Sequence, residues 1–311
     1  MTENIASEPD RFGRPGAEPI DIGYYDWKDP QRDRPVPVKI YFPRRGAGPF
    51  PVIVFSHGTG GSRAGYAFLG EHWASHGYVS VHPQHPGSDQ AVWQRQADPM
   101  KRMKAAAEDP ENAVNRPRDV SFVLDCMDLL ESGDSPLAGR MDRARIGMAG
   151  HSFGAHTALA IAGQLLVGSD GEELSLGDPR VRAAIVMSPQ APRRKDLADR
   201  LYAPVKIPCL HMTGTRDESP LGLTTVTERR VPFDHIGGAD QYLLILAEGD
   251  HMVFADRRRH VERDAVLHRL IEAASTAFWD AYLKDDAQAK AWLAGPGFLS
   301  VLGQQGTLEK K

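Results

Sequence analysis

Apolar residues recur along the chain in two rhythms. Residues 51–55, Pro-Val-Ile-Val-Phe, are continuously apolar, the pattern of a strand buried on both faces. Similar short runs at 78–81, 145–149, 181–187, 207–212 and 242–246 predict further strands. Between them the period lengthens, and residues 64–75, 116–130, 155–166 and 260–283 predict helices. In the second of these, Val120, Val123, Leu124, Met127 and Leu130 share one face. His76-Gly77 and Gly133 read as the stops of the first two helices, and residues 287–293 add a turn or two after the last. Near the N-terminus, residues 20–27 and 36–42 predict an antiparallel pair at a sheet edge, joined by the charged, proline-containing stretch 28–35.

Strands alternating with helices predict an α/β fold. The expected form is a mostly parallel, doubly wound sheet with helices on both faces and functional residues on loops at the strand C-termini. Residues 1–18 are polar and rich in Pro and Gly and read as a flexible arm, leaving 19–311 as a single domain. Periodicity fails from about 83 to 111, where Trp93, Met100 and Met103 stand among charged residues. That stretch is too long for a simple connection and is expected to be a partly helical insertion, a lid or pocket wall. The polar stretch 168–178 is expected to be a surface loop.

Composition narrows the function classes. Hydrophobic residues make up 41% and charged residues 25%, as in a soluble globular protein. With 37 basic and 41 acidic side chains the formal net charge is -4, so no basic field points to nucleic acid. Arg193-Arg194-Lys195 and Arg257-Arg258-Arg259 read as solvated faces. The two cysteines, Cys126 and Cys209, fall in helix-like and strand-like segments and read as buried thiols rather than a disulfide. Residues 1–16 lack the apolar core of a secretory signal and no stretch is long enough to span a membrane, so a cytoplasmic location is expected. The pattern specifies no oligomeric state.

The chemistry centres on Gly150-His151-Ser152-Phe153-Gly154, between the apolar end of a predicted strand and the start of a predicted helix. Strand, sharp turn and helix are the context in which G-x-S-x-G reads as a nucleophile elbow, with glycines where neighbouring backbones crowd the turn. A serine hydroxyl needs a base. His251, in Glu248-Gly249-Asp250-His251 after the last predicted strand, is the candidate, and it comes last in the order Ser, acid, His. Asp217 follows the strand at 207–212 and is the expected acid that orients His251, with Glu218 the nearest substitute. Asp250 is adjacent to the base, and the strand at 181–187 runs into Ser188-Pro189-Gln190 with no carboxylate.

Ser56-His57-Gly58-Thr59-Gly60-Gly61 lacks the endings of a mononucleotide or dinucleotide loop and reads as an oxyanion loop. The expected donors are the backbone N–H groups of Thr59 and Phe153. His57 is read as an orienter of that loop, and His151 and His156 as local packing partners of the elbow. His57, Trp93, His151 and Phe233 are the candidate lining of a substrate pocket, although such aromatics also serve as core. His82 and His85, three apart without a second cluster, are too sparse for a metal site.

Together with Ala74-Ser75-His76-Gly77-Tyr78-Val79 and Thr213-Gly214-Thr215-Arg216-Asp217, the loop and elbow resemble the α/β-hydrolase superfamily. Within it the chain is similar to predicted dienelactone hydrolases, near the platelet-activating-factor acetylhydrolases and cutinase-like polyester hydrolases, over roughly residues 35–285. The resemblance implies a serine carboxylic-ester hydrolase that needs no metal or organic cofactor and acts on a small-molecule ester through an acyl-enzyme. True dienelactone hydrolases carry a cysteine where this chain has Ser152. The acetylhydrolases place their acid after the preceding strand, so Asp217 matches the polyester-hydrolase arrangement better, although those enzymes are secreted. Two alternatives remain: a non-catalytic α/β-hydrolase-like protein that keeps the pocket as a ligand receptor, and an amidase or C–C hydrolase that keeps the same residues.

Overall fold

The computed structural model describes residues 11–311 apart from 47, 96, 132–133, 169–170 and 257–259. The expectations for residues 1–10 of the arm, for Gly133 as a helix stop and for Arg257-Arg258-Arg259 therefore lie outside the described residues.

The chain opens with the hairpin β1 (Ile20–Asp29) and β2 (Arg34–Pro43), followed by β3 (Phe50–Ser56), α1 (Ala67–Ser75) and β4 (Val79–Pro83). Next come α2 (Pro99–Glu108), α3 (Pro110–Cys126), β5 (Met141–His151) and α4 (Phe153–Ala162). A small antiparallel ribbon, β6 (Leu166–Val167) with β7 (Glu173–Leu174), lies at the polar stretch. β8 (Val181–Met187), α5 (Ala198–Tyr202), β9 (Cys209–Arg216), α6 (Val231–His235) and β10 (Gln241–Asp250) follow. The chain ends with α7 (Val261–Leu283), α8 (Ala287–Ala294), α9 (Pro296–Leu302) and β11 (Gly306–Lys310).

The main sheet has the order β1-β2-β4-β3-β5-β8-β9-β10-β11. Its centre, from β4 to β10, is parallel, and antiparallel strands close both edges. This is an α/β-hydrolase fold. Alternation along each strand divides the core between the two faces. Ile53 and Phe55 of β3 join Trp73, Ile185, Leu210, Leu244, Phe278 and Trp279 on the face covered by α1 and α7. Val52 and Val54 join Val81, Val120, Met148, Leu159 and Tyr202 on the face covered by α3 and α4. A strand clothed on both sides has no polar position to spare, hence the uninterrupted apolar run at 51–55. Each large side chain buried this way contributes about 1.5–3 kcal/mol. Among the described residues no helix is long and apolar enough to cross a membrane.

The departures from the sequence reading have local causes. The arm expected to end at residue 18 is tied down from residue 12. Phe12 is 2% exposed against Trp292, its carbonyl faces His72 Nε2 at 2.8 Å, and Gly16 N–H donates to Ser75 Oγ. A lone aromatic in a Pro/Gly-rich stretch carries no period that would reveal this. α3 starts six residues before its expected N-terminus, because Asp109 caps the Glu111 N–H and Pro110 occupies the first turn, ahead of the apolar stripe. β11 was not expected at all. Its sequence, GTLEK, lies on the sheet edge and pairs with β10 alone, so it needs no apolar run.

Candidate active site

β5 delivers the chain to Ser152, and α4 begins at the next residue. Ser152 has φ 56° and ψ -118°, a conformation that costs a non-glycine residue about 1–3 kcal/mol and is held only where its surroundings enforce it. They do so here. The Ser152 N–H donates to Met187 O at the end of β8, and the backbones on either side leave no room for a side chain. A Cβ at Gly150 would lie 2.1 Å from Gly154 O, and one at Gly154 would lie 1.8 Å from Ser56 O. Both glycines of the pentapeptide are therefore steric requirements.

The loops after β9 and β10 meet the elbow. His251 Nε2 lies 3.0 Å from Ser152 Oγ, and His251 Nδ1 lies 2.8 Å from Asp217 Oδ1. Asp217 is fully buried, and its second oxygen accepts the Thr213 hydroxyl at 2.9 Å. With Nδ1–H given to the carboxylate, the lone pair of Nε2 faces the serine. The two loops converge because β10 bulges between Leu246 and Asp250, and because Gly214 lets the backbones touch; a Cβ there would lie 2.1 Å from Gly249 O. Glu218 is exposed, and Asp250 caps the Met252 N–H, so neither takes the place of Asp217.

The glycine-rich loop passes close to the elbow, where a Cβ on Gly58 would sit 3.4 Å from Ser152 Cβ. Most of its N–H groups are engaged: Gly58 donates to the Tyr66 hydroxyl at 3.1 Å, Gly60 to Ser88 O and Gly61 to Gly58 O. The Thr59 N–H has no acceptor among the described residues. The Phe153 N–H, at the first position of α4, has no intrahelical acceptor either. Tyr66, which the sequence did not single out, ties loop to elbow: its hydroxyl also lies 2.8 Å from His151 Nδ1.

Beneath the loop lies a buried polar chain. Ser56 Oγ is 2.9 Å from His85 Nε2, and His85 Nδ1 is 3.0 Å from Asp119 Oδ2. Arg34 grips Asp119 with a fork at 2.8 and 3.1 Å. Arg116, with no exposure, donates to Ser56 Oγ, Ser88 Oγ, Thr157 Oγ1 and the His57 carbonyl, and its guanidinium lies 4.6 Å over the Phe153 ring. Burial lowers Arg116 to about 9, against the pull of Asp119, so it stays charged at neutral pH. Burial and the Arg116 charge bring His85 down to about 4, leaving it neutral. For Asp119, burial pulls upward, but the bonds from His85 and Arg34 outweigh it and the carboxyl ends below its ordinary value.

The four candidate pocket residues separate. Trp93 does lie by the loop, half-buried with Nε1 donating to Gly60 O at 2.8 Å, and Met103 of α2 packs beside it over Gly60. His57 does not line a pocket. It is 1% exposed, and its Nδ1 bonds Gly58 O while Nε2 accepts the His85 N–H, so it props the loop from below. Burial, helped by Arg116, holds it well below its ordinary pKa. His151 is likewise buried, its ring 4.7 Å from that of His251 and 5.8 Å from Phe254, and backs the His251 ring. Phe233 is remote from the elbow: it packs edge-on against His211 near the start of β9 and under Lys311, and is core. His82 and His85 face different partners, Ser80 and the Ser56–Asp119 pair. His156 stacks on Phe153 at 5.7 Å. Nothing local in the sequence marks Arg116 or Arg229, since both stand among polar residues typical of surface.

The sequence matches the family model for chlorophyllase over residues 13–176, more than half of the 311-residue chain. That span includes the glycine-rich loop, Arg116 and the elbow and stops before Asp217 and His251. No curated protein matches the chain.

Proposed function

The chain belongs to the chlorophyllase family of serine ester hydrolases, and from that premise we propose that Ser152, His251 and Asp217 form its catalytic triad. Ser152 attacks the ester carbonyl while His251 Nε2 takes the hydroxyl proton. The N–H groups of Thr59 and Phe153 hold the oxyanion, each worth about 10²- to 10³-fold in rate. His251 then returns the proton to the leaving alcohol, and a water deprotonated by the same nitrogen releases the acid. Asp217 keeps the imidazole in the Nδ1–H tautomer and stabilises the imidazolium without taking its proton.

One observation carries this reading: His251 bridges Ser152 and Asp217 at 3.0 and 2.8 Å, at a serine whose backbone is strained. A ligand-binding protein would have no use for that strain. Ser152→Ala is expected to abolish p-nitrophenyl acetate turnover and fluorophosphonate labelling with an unchanged circular dichroism spectrum. Persistent turnover would sink the proposal. A series of p-nitrophenyl esters of increasing acyl length, with chlorophyll alongside, then defines the substrate class, and a fall beyond butyrate would mark a short, closed acyl site.

A further inference from the structure

Arg229 sits in the irregular segment between β9 and β10, on the 3-10 turn Val226–Arg230, and is 1% exposed. Its Nε donates to Asp217 O at 3.1 Å, and one terminal nitrogen donates to the carbonyls of Ser188 and Pro189 at 2.9 and 3.1 Å. The other terminal nitrogen lies 3.3 Å from Asp217 Oδ1 and 3.2 Å from His251 Nδ1. Since Nδ1–H is already directed at Asp217 Oδ1, the last contact sets donor against donor. The guanidinium therefore attracts the acid and repels a protonated base. It also occupies the end of β8, the loop that carries no carboxylate.

We propose that Arg229 is a positioning residue for the triad: it clamps the Asp217 loop to the end of β8 and holds a fixed positive charge beside His251. This rests on the triad reading above. The other groups facing the imidazole do not duplicate the effect. Asp217, on the loop after β9, favours the cation. His151, from β5, is held neutral by burial and by its neighbours His251 and Arg229. Asp250, next in sequence, is turned to the Met252 N–H and lies 4.0 Å from Arg263. Glu228, on the same turn as Arg229, pairs with Lys195 at the surface, and Glu218 is exposed.

Charge and alignment predict opposite signs in the pH profile. Loss of the fixed cation moves the acidic limb of kcat/KM upward. Loss of the Asp217 bond alone removes support for the imidazolium and moves it downward. Arg229→Gln should raise the limb by about one pH unit and lower kcat about 10-fold. Arg229→Lys, which keeps the charge but loses the planar fork, should leave the limb in place while kcat falls. An unmoved or lowered limb in folded Arg229→Gln overturns the proposal. If that variant fails to fold, a limb displaced in Arg229→Lys overturns it instead. Fluorophosphonate labelling of the unmodified protein separates the two failures: without labelling the triad reading itself falls, whereas labelling with an unmoved limb removes only the role of Arg229.

Discussion

Two Ser-His-Asp chains of nearly the same geometry run through this molecule. Ser152, His251 and Asp217 are linked at 3.0 and 2.8 Å, and Ser56, His85 and Asp119 at 2.9 and 3.0 Å. The differences lie around them. Ser56 ends a central strand with no exposure, and its oxygen also accepts from Arg116; Asp119 is shared with Arg34 and Arg32. Ser152 is partly exposed on a strained turn beside the Thr59 and Phe153 N–H groups, which have no acceptor among the described residues. A hydrogen-bonded relay alone makes a brace. A nucleophile needs access, an uncommitted oxygen lone pair and donors for the oxyanion. The buried chain supports the open one, since Arg116 joins Ser56 to the His57 carbonyl and so carries the floor of the glycine-rich loop.

The sharpest contrast is between the serines. Ser152→Ala should cost on the order of 10⁶ in kcat. Ser56→Ala, measured in the same p-nitrophenyl ester assay, should stay within about 10-fold, while urea unfolding shows a loss of about 1–3 kcal/mol from buried groups left unpaired. Comparable losses of activity would erase the distinction.

The acids should divide in the same way. Asp217→Asn is expected to lower kcat by about 10⁴ in the p-nitrophenyl ester assay. Asp119→Asn breaks a buried ion cluster and should cost about 3–5 kcal/mol in chemical denaturation. If Asp119→Asn instead produced a stable protein with a catalytic defect like that of Asp217→Asn, the brace would have to be read as part of the machinery.

The buried chain also carries a pH dependence. His85 titrates near 4 in the folded state against an ordinary 6.5, because burial and Arg116 disfavour its cation. A depressed folded value means the unfolded chain binds the proton first. The stability is therefore full above pH 6.5 and is lost as pH falls towards 4, up to about 3 kcal/mol from this group. His57 and His82, also depressed by burial, add in the same direction. Melting temperature should fall steadily between pH 7 and 4.5, and His85→Gln, if folded, should flatten the curve. A flat curve in the unmodified protein would mean that these rings are charged inside.

Strands buried on both faces were plain in the sequence because burial imposes an apolar residue at every position, and the elbow was plain because a tight strand-to-helix turn restricts its own neighbours. Asp217 and His251 could be found from chain order and loop position. The edge formed by β1 and β2 was legible, but the other was not: β11 carries a single apolar residue packed on the core, Leu308, and so no run, and α3 begins with polar turns that carry no stripe. Phe233 and His57 looked like pocket residues only because composition does not say which way a side chain faces.

By itself, then, the sequence determined the alternation of strands and helices, the strained serine and the candidates for its base and acid, since those follow from steric and periodic demands acting within a few residues. Only the tertiary structure decided which charged residues are interior. Arg116 and Arg229 stand in polar stretches that read as surface, and each is buried because carbonyls, hydroxyls or carboxylates from distant strands close around its donors. Pairing of that kind lowers the cost of burying charge, and it is assembled from residues far apart in the chain. The same long-range assembly separates the two Ser-His-Asp chains, leaving one serine open on its turn and enclosing the other.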